Sequence, residues 1–429
     1  MKQSYYNVTV PLDLDRCVIF NTLSKKFFVC TNRNKEKFLH LMISSNEYIS
    51  DERFKRIIYE FADSGFIVDE DTDELSNLEV SVADYIKDNV YTLTVMTTYA
   101  CNFACWYCVQ KHKPISISLD VEQKIFNHIK LYVTRNDIGK VHIAWFGGEP
   151  LLNFNSIRNI SKLSKEWCES QGIDFTSSIT TNGSLLTKSM INEMVSFNFV
   201  SYQITIDGDK GNHNQTRFNR FIKDSFNLLL ENIVDIVTLN PQSLVTLRIN
   251  YTCKNLSESL VTDIDQKLHS VRKNVFILFR KVWQEPENEQ MFLMVSKLIN
   301  QFQNLGYLIE HDYDNYKLLS CYVEKEHYLS VYPNGTVDKC NNKDIGKARG
   351  YIEDNGDVVW NENPKEMDLS VFSRNSECRE CKYLPICMGP CPSHRERMTA
   401  VAQCIVKDKV AYFNRGILEY CRIKTRYGL

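Results

Sequence analysis

Cysteines at 101, 105 and 108, with Tyr107 set just before the last, are the sharpest chemical signal in the chain. Thiolates bind soft metals. Three on one short loop can hold three corners of a [4Fe–4S] cube and leave the fourth iron open. An open iron can chelate a small molecule through an amine and a carboxylate and pass it one electron. The cofactor then carries the hard chemistry while the protein orients it and keeps water out. A closed zinc site would need a fourth ligand close by, and none is obvious in the sequence around 101–108.

Seven of the eight cysteines in the last third of the chain form a spaced series, as Cys321-x13-Gly335-x4-Cys340, then Cys378-x2-Cys381-x5-Cys387-x3-Cys391, then Cys404. Clustered cysteines in a long chain argue for metal or redox chemistry rather than a disulfide scaffold. Residues 374–404 carry prolines, glycines and cysteines with little periodicity. Such a segment cannot bury enough apolar surface alone, and metal clusters would supply the missing stabilisation. Cys17, Cys30, Cys168 and Cys253 are expected to be small buried hydrophobes.

Something must position these loops. Between 91 and 306, β-rich runs at 91–98, 141–146, 175–180, 200–206, 244–252 and 275–283 alternate with helical stretches at 121–135, 154–171, 188–197, 221–239, 256–271 and 289–305. Strand–helix repetition implies an α/β fold with a parallel sheet, and right-handed crossovers curl it into a partial (β/α)6 barrel with active residues where strands end. Residues 1–85 read as a small winged-helix-like α+β module: strands around Asn21–Lys26, helices near 35–42 and 51–64, Gly65 as a C-cap and a returning strand at FIVDED. Asp69–Glu74 reads as a solvated acidic connector. Beyond 310, HYLSVYPNGTVDKC and YIEDNGDVVW read as hairpins. The expected domains are 1–85, 90–308 and 309–429.

Composition bounds the partners. The chain has 429 residues, 43% hydrophobic, with formal net charge −2 and no long basic run, so nucleic acid is a poor partner. No apolar run approaches the ~18 residues of a membrane span, and the first residues have no apolar signal region, so the expected setting is cytoplasmic with no membrane.

Four motifs together resemble the radical S-adenosylmethionine (SAM) superfamily: the Cys101–Cys108 loop, Gly147-Gly148-Glu149-Pro150, Thr180-Thr181-Asn182-Gly183, and Thr205-Ile206-Asp207-Gly208 followed by His213 and Arg217. Thr205 stands where the family has Ser, and Asn214 where it has Asp. The resemblance implies that Cys101, Cys105 and Cys108 hold the SAM-cleaving [4Fe–4S] cluster. Tyr107 would lie near the adenine, Gly147–Pro150 at the methionine amino group, and Thr181 and Asn182 near the ribose. Thr205 and Arg217 carry over to SAM binding, and Arg248 and Arg280 are further candidates for its carboxylate. Asp207, Asp209 and carboxylates at 311–314 are nominated as a general base, Asp207 being the one placed among catalytic residues.

The seven later cysteines resemble a SPASM domain, which carries two auxiliary iron–sulfur clusters. That resemblance assigns Cys378, Cys381, Cys387 and Cys404 to one cluster and Cys321, Cys340 and Cys391 to the other. The eighth position stays open between an exposed iron, a ligand among His311, Asp312 and Asp314, and Cys421. Radical SAM/SPASM enzymes act mostly on polypeptides. The resemblance therefore implies a peptide maturase. It would bind a ribosomally made precursor peptide through its leader, abstract hydrogen with a 5′-deoxyadenosyl radical, and form an intramolecular thioether or C–C crosslink. A flavodoxin- or ferredoxin-type protein would donate single electrons. The alternatives are an anaerobic sulfatase-maturing, formylglycine-generating enzyme and a non-catalytic iron–sulfur electron carrier.

Overall fold

The computed structural model describes residues 1–286, 289–310, 321–341, 345–361, 376–389, 391–392, 404, 406 and 408–427. Contacts divide the chain into two compact units: Met1–Asp88 with the described parts of 313–326 and 365–429, and Asn89–Asp312 with 327–364. Residues 327–364 thus group with the central strands, where the sequence reading starts its last domain at 309.

In the first unit, β1 (Lys2–Gln3) pairs with β5 (Ile67–Val68), and β2 (Asn7–Pro11), β3 (Arg16–Asn21) and β4 (Phe27–Thr31) form an antiparallel sheet. Strands β3 and β4 flank the expected turn, and α1 (Asn32–Ile43), α2 (Ser45–Tyr48) and α3 (Glu52–Asp63) follow. Gly65 has φ +77, as a helix-ending glycine requires. The acidic connector reading fails at its end. Asp73 caps α4 (Glu74–Ile86) by accepting from Ser76 N at 3.0 Å, and Glu74 is buried, accepting from Tyr5 N at 2.8 Å. An acid at a helix start is stabilised by the dipole, so acidity there marked a helix rather than a linker.

The second unit is built on β6 (Val90–Met96), β7 (Lys140–Phe146), β8 (Asp174–Thr181), β9 (Phe199–Ile206), β10 (Leu244–Tyr251), β11 (Val275–Lys281) and β12 (Leu308–Glu310), all parallel in sequence order. Helices α5 (Leu119–Asn136), α6 (Phe154–Ser170), α7 (Lys188–Ser196), α8 (Lys210–Thr216), α9 (Ser225–Leu239), α10 (Ser259–Leu268) and α11 (Glu289–Asn304) lie between them. Caps fix several helix starts: Ser118 accepts from Val121 N and Thr187 from Met190 N. This is a mixed α/β fold with a large parallel sheet.

Burial alternates along the strands. In β7, Val141, Ile143 and Trp145 are buried among residues such as Ile125, Ile157 and Ile160 of the helices. Each such burial contributes about 1.5–3 kcal/mol. The other face carries His142, Ala144 and Phe146, half-exposed. Parallel strands covered on both faces are apolar throughout; here one face is polar. His142 shows it, its ring nitrogens 2.9 Å from Thr176 Oγ1 and 2.8 Å from Ser178 Oγ.

The two hairpins form as expected. Strands β13 (Tyr328–Val331) and β14 (Thr336–Asp338) turn at Gly335, φ +80, and β15 (Gly350–Ile352) pairs with β16 (Val358–Trp360). Their placement was not foreseen: β13 lies parallel beside β6, Tyr328 opposite Thr92, and extends the sheet. The first unit also holds α12 (Ser376–Arg379), α13 (Leu384–Cys387) and α14 (Lys409–Tyr427). Among the described residues no helix is long and apolar enough to cross a membrane.

Candidate functional site

The motif residues converge where β6 to β10 end. The chain leaves β6, runs through Cys101–Cys108, and returns so that Thr98 bridges Ser116. The glycines explain how the next loop fits beside it. A Cβ on Gly147 would stand 2.5 Å from Thr98 O, and one on Gly148 would stand 2.2 Å from Ala100 O. Gly148 N and Glu149 N donate to those same carbonyls, each at 2.8 Å. Close approach is indeed the reason for glycine, but the approaching group is the stem of the cysteine loop.

Glu149 is fully buried and holds the next loop. Its carboxylate accepts from Thr181 Oγ1 at 2.6 Å, Asn182 N at 2.7 Å and Leu151 N at 3.0 Å. Burial raises its pKa against these bonds. A carboxylate offers about four acceptor sites, so one remains for a ligand ammonium. Pro150 opens the following turn, and its carbonyl accepts from Thr97 Oγ1 at 3.0 Å.

Asn182 faces the cysteines. Its amide donates to Asn102 Oδ1 at 2.7 Å and lies 3.9 Å from Cys101 Sγ, while Cys101 Sγ also accepts from Phe103 N at 3.4 Å. Cys101 and Cys105 are half-buried, and Cys108 is exposed with its sulfur 3.6 Å from His112 Nε2. Burial pushes Cys101 up to about 11 and raises Cys105, with Arg217 opposing both. Iron must therefore displace protons to bind.

Beneath the loop lies a buried polar cluster. The Tyr107 hydroxyl faces both Asp207 oxygens, at 2.7 and 2.6 Å, and accepts from Arg217 Nη1 and Asn250 Nδ2, each at 3.1 Å. Burial lifts Asp207 to about 6, with Arg217 pulling the other way. Arg217 lies over the Phe103 ring, 5.4 Å to the centroid, and its Nε has no hydrogen-bond partner among the described residues. His213 is buried beside it, Nδ1 accepting from Asp207 N at 3.2 Å. Arg248 Nε donates to Asn250 Oδ1 at 2.8 Å, and Thr205 is opposite Arg248 on β9. Arg280, on β11, is opposite Asn250. Asp209 instead caps α8 through Asn212 N.

Sequence reasoning missed Asn102, Asn250, Ser184 and Asn219. Asn102 Nδ2 donates to Ser184 Oγ at 2.9 Å, and Asn219 Nδ2 donates to Asn102 O at 3.0 Å. Asn250 was findable, being two residues beyond Arg248 on the same strand face.

These residues fit a three-thiolate cluster. Three thiols share one loop, N–H donors reach Cys101, a buried guanidinium stands by Cys105, and an unpartnered Arg217 Nε suits an anionic ligand group. Hydrogen bonds to cluster sulfurs and nearby charge are how proteins tune such centres. Among the described residues no three His, Cys, Asp or Glu side chains are arranged to hold a single metal ion.

Residues 95–239 match the radical SAM superfamily profile, and that span contains the cysteine loop and Glu149, Asn182, Asp207 and Arg217. This is a radical SAM domain. Its family implies a [4Fe–4S] cluster and SAM. The chain is 22% identical over 415 residues to the radical SAM cyclopropyl synthase TigE of Paramaledivibacter caminithermalis, covering 87% of this chain and 84% of that one. Its fold is similar to native anSMEcpe with bound AdoMet (TM-score 0.57, 18% identity, 79% of this chain and 97% of that chain). It is also similar to Streptococcus suis SuiB bound to precursor peptide SuiA (TM-score 0.51, 13% identity, 95% and 99%).

The later cysteines are placed less completely. Cys378, Cys381 and Cys387 lie on or beside α12 and α13; Cys378 and Cys381 pack against Tyr6, Leu78 and Leu384. Cys391 and Cys404 are exposed, Cys321 is half-buried and Cys340 is buried. Cys421 is buried on α14 among Val8, Val10 and Phe413, which pushes its thiol up to about 12. His311, Asp312 and Asp314 lie outside the described residues. Cys17, Cys30 and Cys168 are buried; Cys253 is exposed, contrary to expectation, because it follows the end of β10 in a loop.

Proposed function

We propose that this chain is a maturase of a ribosomally made precursor peptide, joining two positions of that peptide by an intramolecular crosslink. The observation that carries this reading is the extent of the likeness to TigE, over 415 residues. It takes in much more than the radical SAM domain, as does the fold likeness to peptide-bound SuiB. A cyclopropyl synthase forms carbon–carbon bonds, and we favour a C–C bond over a thioether here.

Bound to Cys101, Cys105 and Cys108, the cluster with SAM supplies hydrogen-atom abstraction from an unactivated carbon. The chain's own residues do the rest. Glu149 fixes the two loops that flank the ligand and keeps one acceptor site for its ammonium. Arg217, held by Tyr107, keeps an unsatisfied Nε that would suit the carboxylate of the ligand. The Thr181–Asn182 turn and Gly147–Pro150 line the same place, with Thr205 and Arg248 on the adjoining strands. Asp207, buried at the end of β9 against the Tyr107 hydroxyl, is the group we assign as general base. The polar sheet face at His142, Thr176 and Ser178 offers hydrogen bonds to a peptide. Residues 1–85 take the leader by pairing along a sheet edge, in the manner of a winged-helix recognition module. The cysteines from Cys321 to Cys404 hold two auxiliary clusters, as in a SPASM domain.

The test is anaerobic incubation of the reconstituted chain with SAM, reductant and any short peptide found encoded beside its gene. Mass spectrometry should find a product lighter by about two mass units per crosslink, the loss of two hydrogens. Deoxyadenosine without any change in peptide mass would reject the substrate class, and conversion of a sulfatase-derived peptide instead would establish the alternative.

A further inference from the structure

The cysteine loop turns one side away from the buried cluster. Tyr107 points inward to Asp207, but Trp106 beside it is 57% exposed with its ring at 85° to the tyrosine's. Cys108 and Val109 are exposed as well. Two other segments are tied to this loop. Ala104 N donates to Phe218 O at 3.0 Å, and Gln284 Nε2 donates to Tyr107 O at 2.9 Å. They bring Phe221, 88% exposed, and Trp283, 78% exposed, to its flanks. Large apolar side chains gathered at a surface mark an interaction site.

Two of the three segments of this rim, 106–113 and 217–223, are basic. Lys111, Lys113, Arg220 and Lys223 are exposed and make no ion pair among the described residues. No acid occurs within 106–113 or 217–223, although the whole chain has formal net charge −2; Asp224, the next residue, pairs with Lys210 at 2.8 Å, and the Trp283 flank carries Glu285. Four cations among exposed aromatics would draw in an anionic partner and then hold it by apolar contact.

We infer that this rim is the docking surface for a small acidic protein carrying one low-potential electron. The inference rests on the radical SAM reading above and locates its electron donor. One electron leaves the donor's reduced centre and enters at the cluster held by Cys101, Cys105 and Cys108; no bond forms and no proton moves. Cys108, one of the three thiols that would hold that cluster, is itself exposed at the rim.

The experiment uses the full chain, reconstituted anaerobically with SAM, and reads 5′-deoxyadenosine release driven either by dithionite or by an enzymatically reduced bacterial flavodoxin. Three variants are compared with the parent: K111E/K113E, R220E/K223E and F221S/W283S. The flavodoxin-driven rate should fall about tenfold or more while the dithionite-driven rate stays within about twofold, and added salt should slow the parent more than the charge-reversed chains. Unchanged flavodoxin-driven rates would place the donor elsewhere and overturn the proposal. Equal losses in both arms with iron retained would also overturn it, making the rim part of the reaction site or a peptide-binding surface. A parent that releases no deoxyadenosine even with dithionite would defeat the enzyme reading itself, and this inference with it.

Discussion

Tyr107, which stands between Cys105 and Cys108, directs its hydroxyl at the two carboxylate oxygens of Asp207, 2.7 and 2.6 Å away. A side chain on the cysteine loop is thus joined to the end of β9. Arg217 and Asn250 complete the joint by donating to the same hydroxyl. Tyr107→Phe removes the shared atom and leaves a buried carboxylate short of a donor, at a cost of about 1–3 kcal/mol. The variant should keep its iron but bind SAM more weakly, with deoxyadenosine release down about tenfold or more. Equilibrium SAM binding and product release by chromatography check this. Asp207→Asn, which keeps an acceptor for the hydroxyl, should lose less SAM affinity than Tyr107→Phe; an equal loss would assign the carboxylate itself to the ligand.

Gly148→Ala tests the close approach of the two loops. Its Cβ would meet a backbone carbonyl, Ala100 O, at 2.2 Å, so the stem of the cysteine loop must shift. Overpacking of this kind costs about 1–3 kcal/mol. The expected outcome is a lower Tm and incomplete loading of the SAM-cleaving cluster, read as iron per chain. Gly172→Ala is the control. It has φ +71 and nothing within 4 Å, so it should lose about 1 kcal/mol through backbone strain alone and keep its full iron.

What the sequence revealed follows from how local each feature is. Strands β6 to β11 were legible because apolar residues alternate along each and helical stretches separate them. Strand β13 beside β6 was not, since Tyr328 meets Thr92 across more than two hundred residues and no local pattern reports such a pairing. The motif glycines were visible, but the atoms that require them, Thr98 O and Ala100 O, lie on another loop. Glu74 was misread because its partners, Ser4 and Tyr5, are distant in sequence. Thr205 and Arg217 were found only through resemblance, while Asn250 was within reach of strand alternation and was passed over.

Iron content separates the two groups of cysteines. Three cubes of the [4Fe–4S] type would bring about 12 irons per chain. Replacing Cys101, Cys105 and Cys108 together by Ala should remove about four of them and abolish deoxyadenosine release. Replacing Cys378, Cys381 and Cys387 should also lower iron but leave SAM cleavage measurable without peptide. Cys421→Ala should leave the count unchanged, since its thiol is packed among Val8, Val10 and Phe413. Loss of an entire cube in that variant would instead make Cys421 a ligand.

Acid should loosen the second unit through His128. The ring is buried between Tyr91 OH, 2.6 Å from Nε2, and Gly356 O, 2.7 Å from Nδ1. A carbonyl only accepts, so Nδ1 carries the proton and Nε2 accepts from the tyrosine. Burial pushes the imidazole down to about 4 from its ordinary 6.5. His142, half-exposed on the polar face of the sheet, is also pushed down to about 4 by desolvation. The unfolded chain therefore takes up protons that the folded chain refuses. Stability from this site is fully present above pH 6.5 and is lost as pH falls toward 4, by on the order of 3 kcal/mol for His128 at most. Tm measured at pH 7 and pH 5 should fall for the parent. His128→Gln keeps an amide donor for Gly356 O and does not titrate, so its Tm should start lower at pH 7 but change less between the two. A variant whose Tm falls as steeply as the parent's would show that other groups set the acid response.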